Sequence, residues 1–454
     1  MFERASSAVE NDDKQVDDGR ELEGQQGWPG EAVPLDRPVD SEPTEAEAEV
    51  PWPPVERWLN RNVVGMGVTS FLSDAGHEAA TAVLPAFLST IGAPPVALGT
   101  IEGVSDASAS FVKLGAGWVS DRIGHRKSLT VGGYFLTGVA IASFALATSW
   151  PMVLLGRLIG WLGRGIRGPL RDAMLAESVA PTDRGKAFGF HRAGDTLGAI
   201  VGPLIAVGLL AVLQPMEVDP SGPFRIVFLL TLIPGIGATL AFAIMVTERR
   251  RAPQREMRFW ATVRALPGSY RRFLVGVGVF GAGDYAHTLL ILAATQLLTP
   301  VYGLVPAAQI AALLYVAHNV LYAGASFPIG ALSDRIGRRG LLVAGYLLAA
   351  VVSVGFVVAF VLPLASIGYL LLLFVLAGTY IAAEDSLEGA LTADFVGQEV
   401  RGTAYGVMGT VNGVGDLVAS VVVGLLWTVV SPAAGFAYAA VAMIIGALLL
   451  QRVR

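Results

Sequence analysis

Twelve apolar stretches of about twenty residues each dominate this chain, near 63–91, 95–120, 129–148, 151–175, 185–213, 224–247, 270–298, 307–333, 340–362, 366–393, 402–430 and 432–451. At 1.5 Å of rise per residue, about twenty residues cross a hydrocarbon core. Lipid offers the backbone no hydrogen-bond partners, so spanning segments of this length must be helices. The chain therefore reads as an all-α membrane protein with twelve transmembrane helices. Composition agrees, with 53% hydrophobic and 15% charged residues and a mean hydropathy of +0.58. Soluble domains carry about 25% charged residues. There is no cysteine, which excludes disulfides, zinc–thiolate sites and a cysteine nucleophile.

The net charge of −5 averages two unlike regions. Residues 1–57 hold 16 Asp and Glu against 5 Lys and Arg, too polar and acidic to bury surface that offsets ordering entropy, and read as a disordered cytoplasmic tail. They carry no signal-peptide pattern. Elsewhere the bases cluster on alternate loops: Arg122, Arg126 and Lys127 in loop 2–3, Arg184 and Lys186 in loop 4–5, Arg335, Arg338 and Arg339 in loop 8–9. By the positive-inside rule these loops and both termini are cytoplasmic, in the inner membrane. The domains expected are the tail 1–57, a six-helix bundle 58–247, a basic linker 248–268 and a second six-helix bundle 269–454.

The two bundles repeat each other. Gly117-Trp-Val-Ser-Asp121-Arg122-Ile-Gly124-His-Arg126 recurs 213 positions later as Gly330-Ala-Leu-Ser-Asp334-Arg335-Ile-Gly337-Arg338. Asp74-x-x-His77 in helix 1 recurs 210 positions on as Asp284-x-x-His287 in helix 7. Glu177 before Arg184-Gly-Lys-Ala-Phe-Gly recurs 217 positions on as Asp394 before Arg401-Gly-Thr-Ala-Tyr-Gly. Three anchors in the same order make a parallel repeat.

The duplicated turn resembles the loop 2–3 signature G-x-x-x-D-R-x-G-x-[RK]-[RK] of the major facilitator superfamily, and the resemblance covers everything after about residue 58. It implies two pseudo-symmetric six-helix bundles and a secondary transporter alternating around a central cavity, with helices 1, 4, 7 and 10 lining it. It also implies that Asp121, Asp334 and the arginines beside them, with Glu177 and Asp394, latch the cytoplasmic side in the outward-facing state. The plain alternative is retention of positive charge alone. Helix 5, with Gly198-x-x-x-Gly202-Pro203, resembles the antiporter motif of the drug/proton exporters; the alternative is a small-residue packing seam. Arg157 resembles the basic residue that opens the helix 4 motif of the same exporters.

Ionisable groups within spans are costly and tend to face a cavity or one another. Asp74, His77 and Glu78 share one face of helix 1, and the resemblance sets Asp284 and His287 across from them. Three readings stand: proton exchange, a divalent-metal site at Asp74, His77, Asp284 and His287, or helix packing. His191 and Asp195, four apart in helix 5, form a second exchange pair. Helix 4 carries Arg157, Arg164, Arg167, Arg171 and Asp172, with Asp74, Glu78, Glu102, Asp106 and Asp195 as candidate countercharges. Helix 10 is acidic, with Glu384, Asp385 and Glu388; His318, Asn319, Asn412 and Asp416 add polar groups nearby. The acids suit a cationic substrate, a metal, or the helix 4 arginines.

No Ser-His-Asp grouping, zinc-protease motif or phosphate-binding loop is present, so an enzyme is not expected, and no cofactor. The leading expectation is proton-coupled efflux of a small molecule by a monomer in the lipid bilayer, without nucleic acid. A metal or metal-chelate transporter of the same fold, or a membrane sensor without transport, are the alternatives.

Overall fold

The computed structural model describes residues 57–123, 126–180, 183–216, 219–248, 263, 266–396 and 401–453. The acidic tail and nearly all of the basic linker lie outside them. The described residues form twelve helical spans and no strand. These are α1 (Arg61–Thr90), α2 (Pro95–Ile123), α3 (Arg126–Ala142, with a 3-10 turn Ser143–Leu146), α4 (Trp150–Glu177) and α5 (Arg184–Leu213). Next come α6 (α6a Gly222–Leu230 and α6b Leu232–Met245) and α7 (α7a Gly268–Gly281 and α7b His287–Tyr302). The last five are α8 (Leu304–Ile336), α9 (Arg338–Val361), α10 (Ile367–Phe395), α11 (Arg401–Val429) and α12 (Pro432–Gln451). Eight of these spans are long and apolar enough to cross a membrane by composition alone. The others are α1, α2 and α4, which carry the buried charges, and α7, which is split.

Packing repeats as the sequence does. In the first half α1 packs on α5 and α6, α2 and α3 on α4, and α3 on α6; the second half shows the same pairings six helices on. The halves meet along two seams, α2 with α11 and α5 with α8. The α2–α11 seam is tight at the end opposite the two Asp-Arg-x-Gly turns. A Cβ on Gly99 would lie 2.0 Å from the Ser420 carbonyl oxygen, and one on Gly424 3.0 Å from that of Pro95. Toward the end that bears those turns, Cβ atoms built on Gly115, Gly324 and Gly330 meet open space, and Phe327 is 83% exposed. The main core, from Phe87 and Phe228 to Phe280 and Phe436, runs through both halves; a second, smaller core (Met66, Met174, Phe242) belongs to the first half alone. The halves are thus joined at the far end, and toward the signature end these positions are open.

Helix 7 departs from the continuous span expected near 270–298. It unwinds between Gly281 and His287. Gly281 and Gly283 are poor helix formers, and here they admit close neighbours: a Cβ on Gly283 would lie 2.6 Å from the Ala439 carbonyl oxygen. The freed backbone is satisfied inside protein, the Ala286 N–H by Ser420 Oγ at 3.0 Å, which is what makes such a break tolerable at membrane depth.

Candidate functional site

Helix 4 has glycine at 156, 160, 163, 165 and 168, and the small surfaces draw it close to α2 and α3. A Cβ on Gly165 would lie 2.9 Å from the Ala109 carbonyl oxygen. Close approach lets its arginines reach acids on α1 and α2. Arg157 donates to both Glu102 oxygens at 2.8 and 2.9 Å. Arg164 meets Asp74 at 3.2 Å. Arg167 donates to Ser73 Oγ at 2.8 Å and lies 4.0 Å over the Tyr134 ring. Arg171 turns to its neighbour Asp172 at 2.9 Å. Arg157, Arg164 and Arg171 therefore find their countercharges in their own half, on α2, α1 and α4, while Arg167 is held by a hydroxyl and a ring; the described ion pairs do not join them to the acids of α10.

Trp161, on the same helix, organises the middle of this cluster. Its indole nitrogen donates to Asp106; Arg157 lies 4.1 Å above its ring and the His77 ring packs against it, tilted by 44°, at 4.6 Å. His191 bridges Ser70 Oγ at 2.9 Å and Asp195 at 3.3 Å. Glu78 instead reaches the second half, accepting from Tyr315 at 3.0 Å.

The second half handles its charges differently. Asp284 sits in the unwound stretch of α7, not on a helical face as Asp74 does. It accepts from Tyr380 at 3.1 Å and stands within electrostatic range of Glu384. Glu388, 2% exposed, accepts from Tyr346 at 2.5 Å and Asn412 at 2.8 Å. Asp385 accepts from Tyr322 at 2.5 Å. Between residues 273 and 334, 340 and 400, and 402 and 451 the sequence has no Lys or Arg, so phenols and an amide take the place of guanidinium groups. His287 pairs with His318, rings 5.1 Å apart, and His318 Nδ1 contacts Asn319 Oδ1 at 3.1 Å.

The two Asp-x-x-His motifs are not brought into one site: each histidine and each aspartate finds its partner in its own half. Among the described residues no group of three or more His, Asp or Glu is arranged to hold a metal ion. Gly198 and Gly202 of the helix 5 motif press on α1, where added Cβ atoms would lie 2.6 Å from the Phe71 and 2.4 Å from the Ala75 carbonyl oxygens. Pro203 lies inside the same helix.

At the signature end Arg126 pairs with Glu177, and Arg338 with Asp394, each at 2.7 Å. Gly337 has φ of +100° where α8 ends and α9 begins, a conformation open to glycine. Arg335 and Gly330 fall at the exposed end of α8. Gly124 and the side chains around Gly117, Asp121, Arg122 and Asp334 lie outside the described residues.

Sequence reasoning overlooked Trp161, Arg192, Tyr315, Tyr322, Tyr346 and Tyr380. One signal was available: Tyr315, His318, Asn319 and Tyr322 stand at i, i+3, i+4 and i+7, a single polar stripe on α8.

The Major Facilitator Superfamily model matches residues 66–316 and 288–454. The chain belongs to the Major Facilitator Superfamily. It is a multi-pass membrane transporter, not an enzyme. This superfamily member is 32% identical, over 87% of its length and 95% of the relative's, to an uncharacterized MFS-type transporter of Methanocaldococcus jannaschii. It is 25% identical to the quinolone resistance protein NorA of Staphylococcus aureus over 37% of this chain and 41% of that protein. Its fold is similar to that of the nucleoside transporter NupG, with a TM-score of 0.70 at 14% identity, covering 86% of this chain and 98% of that one. A peptide transporter POT in complex with sulfate also scores 0.70, at 15% identity, with 86% and 94% covered.

Proposed function

We propose that this transporter is a proton-coupled antiporter that exports a cationic small molecule from the cytoplasm across the inner membrane by alternating access. The observation that carries the reading is the uncompensated acidity of the second half. Asp284, Glu384, Asp385, Glu388 and Asp416 lie in the stretches 273–334, 340–400 and 402–451, which contain no Lys or Arg, while Asp74 and Glu102 in the first half have arginines. Adjacent carboxylates at membrane depth repel strongly and need a proton or another cation among them. Protons and a cationic cargo would compete for these acids, and competition for one set of acids is what couples the two flows.

On this reading both termini and the signature end are cytoplasmic, and the more open signature end marks an inward-facing form. A monomer suffices for this scheme, and the similarity to NorA supports export. A divalent metal is the weaker cargo, because the acids and histidines form no ligand cluster among the described residues.

The test is uptake of tetraphenylphosphonium into inside-out proteoliposomes carrying an inwardly acidic pH gradient. The parent should accumulate it only with the gradient, and Asp284→Asn or Glu384→Gln should abolish accumulation while the protein still inserts. Gradient-driven accumulation at parental rates in both variants would remove the proton role.

A further inference from the structure

Arg192 belongs to the first half and Asp385 to the second, and one phenol joins them. The guanidinium donates to Tyr322 Oη at 3.0 Å, and that hydroxyl donates its own proton to Asp385 Oδ2 at 2.5 Å. A phenol oxygen accepts and donates at once, so the link has one polarity, from cation through hydroxyl to carboxylate. Each bond strengthens the other, and the O–H···O⁻ distance is that of a charge-assisted bond.

The place of the link gives it leverage. The α5–α8 seam is held by Gln309 on the Val207 carbonyl at 3.2 Å and Asn319 on the Ala199 carbonyl at 2.9 Å. Arg192–Tyr322 comes next toward the signature end, at the lip of the opening, where Arg192 and Asp385 are both exposed. The neighbouring bonds end on neutral carbonyls and are indifferent to charge. This one depends on Arg192 being positive and Asp385 negative. Arg192 also stands within electrostatic range of Asp195 and Asp74 of its own half, so its charge is supported from behind. Any rocking of one half on the other must change the register of this seam.

We propose that the Arg192–Tyr322–Asp385 chain is a lock that holds the unloaded transporter in its signature-end-open form, and that a proton or a cationic cargo arriving at Asp385 releases it. The release rests on the proposed function; the lock does not. An unloaded carrier that cannot reorient cannot leak the gradient, which is what obligatory exchange requires.

The chain has no cysteine, so Phe188→Cys and Ile336→Cys, on the signature-end portions of α5 and α8, take two spin labels without background. Their distance distribution is measured in nanodiscs without gradient or cargo. Tyr322→Phe, Arg192→Gln and Asp385→Asn should each shift population from the long to the short distance by roughly threefold to tenfold, as an exposed charge-assisted link allows. The Arg192→Gln, Asp385→Asn double variant should shift no further than either single one. Arg192→Lys, which keeps the charge, should stay near the parent.

Unchanged distributions in Tyr322→Phe and Arg192→Gln, with thermal unfolding unaltered, overturn the lock; so do additive effects in the double variant. Acidification and tetraphenylphosphonium are then applied to the parent. If the variants shift the distribution and neither treatment does, the lock stands and the release by proton or cation fails.

Discussion

Arg157 and Glu102 form an ion pair at 2.8 Å with only 2% and 3% of their side chains exposed. Thr81 Oγ1 lies 3.4 Å from the guanidinium, and the Trp161 ring covers its face. The pair ties α2 to α4 in the middle of the first half.

Breaking that pair strands a charge. Arg157→Met or Glu102→Gln alone should cost about 3–5 kcal/mol, since each leaves its partner buried and uncompensated. The double variant should recover much of the loss. Unfolding in mixed micelles gives the coupling energy, and additive single losses would show that the pair is not a unit.

Gly202 lets α5 touch α1 near Asp74. Gly202→Ala places a methyl 2.4 Å from the Ala75 carbonyl oxygen, a backbone atom that cannot yield cheaply. Overpacking of this kind costs about 1–3 kcal/mol. Lower thermal stability and weaker transport should appear together, whereas Gly208→Ala, where an added Cβ meets open space, should leave both near the parent.

The signature's glycine is a conformational requirement at its second copy. Gly337→Ala should cost about 1–3 kcal/mol through backbone strain at φ of +100°. The readout is stability in detergent, and an unchanged stability, or the gain that Gly→Ala brings in an exposed helix, would contradict it.

The two signature ion pairs differ in environment. Arg338–Asp394 is exposed by 33% and 52%, and Arg126–Glu177 by 15% and 17%. Arg338→Ala should cost at most about 1 kcal/mol and less in high salt. Arg126→Ala should cost more and respond less to salt. Parallel measurements at low and high ionic strength decide the order.

Much of the architecture was legible because its signals are local or periodic. The twelve apolar stretches fall on the twelve spans, and eight of these suit a bilayer by length and hydropathy alone. Gly337 was readable within its turn, because a tight reversal between two helices needs its backbone freedom. The arginines of α4 announced countercharges, and Asp74 and Glu102 supply them, because a cation at membrane depth has few other ways to be satisfied.

The pairing of charges was not legible, because it depends on which helices touch and how they are rotated. Asp74 and Asp284 look equivalent in sequence. Yet Asp74 rides a continuous helix against an arginine, while Asp284 lies in an unwound stretch among phenols and acids. Tyr322 carries no mark of its own beyond a helical stripe; only the packing of α5 and α10 on α8 sets it between Arg192 and Asp385. The sequence by itself determined a membrane-spanning duplicated bundle, through hydropathy and repetition. Tertiary structure decided which charges are neutralised and what joins the halves, because those depend on distances between residues on different helices, 55 positions apart for Arg157 and Glu102 and 130 for Arg192 and Tyr322.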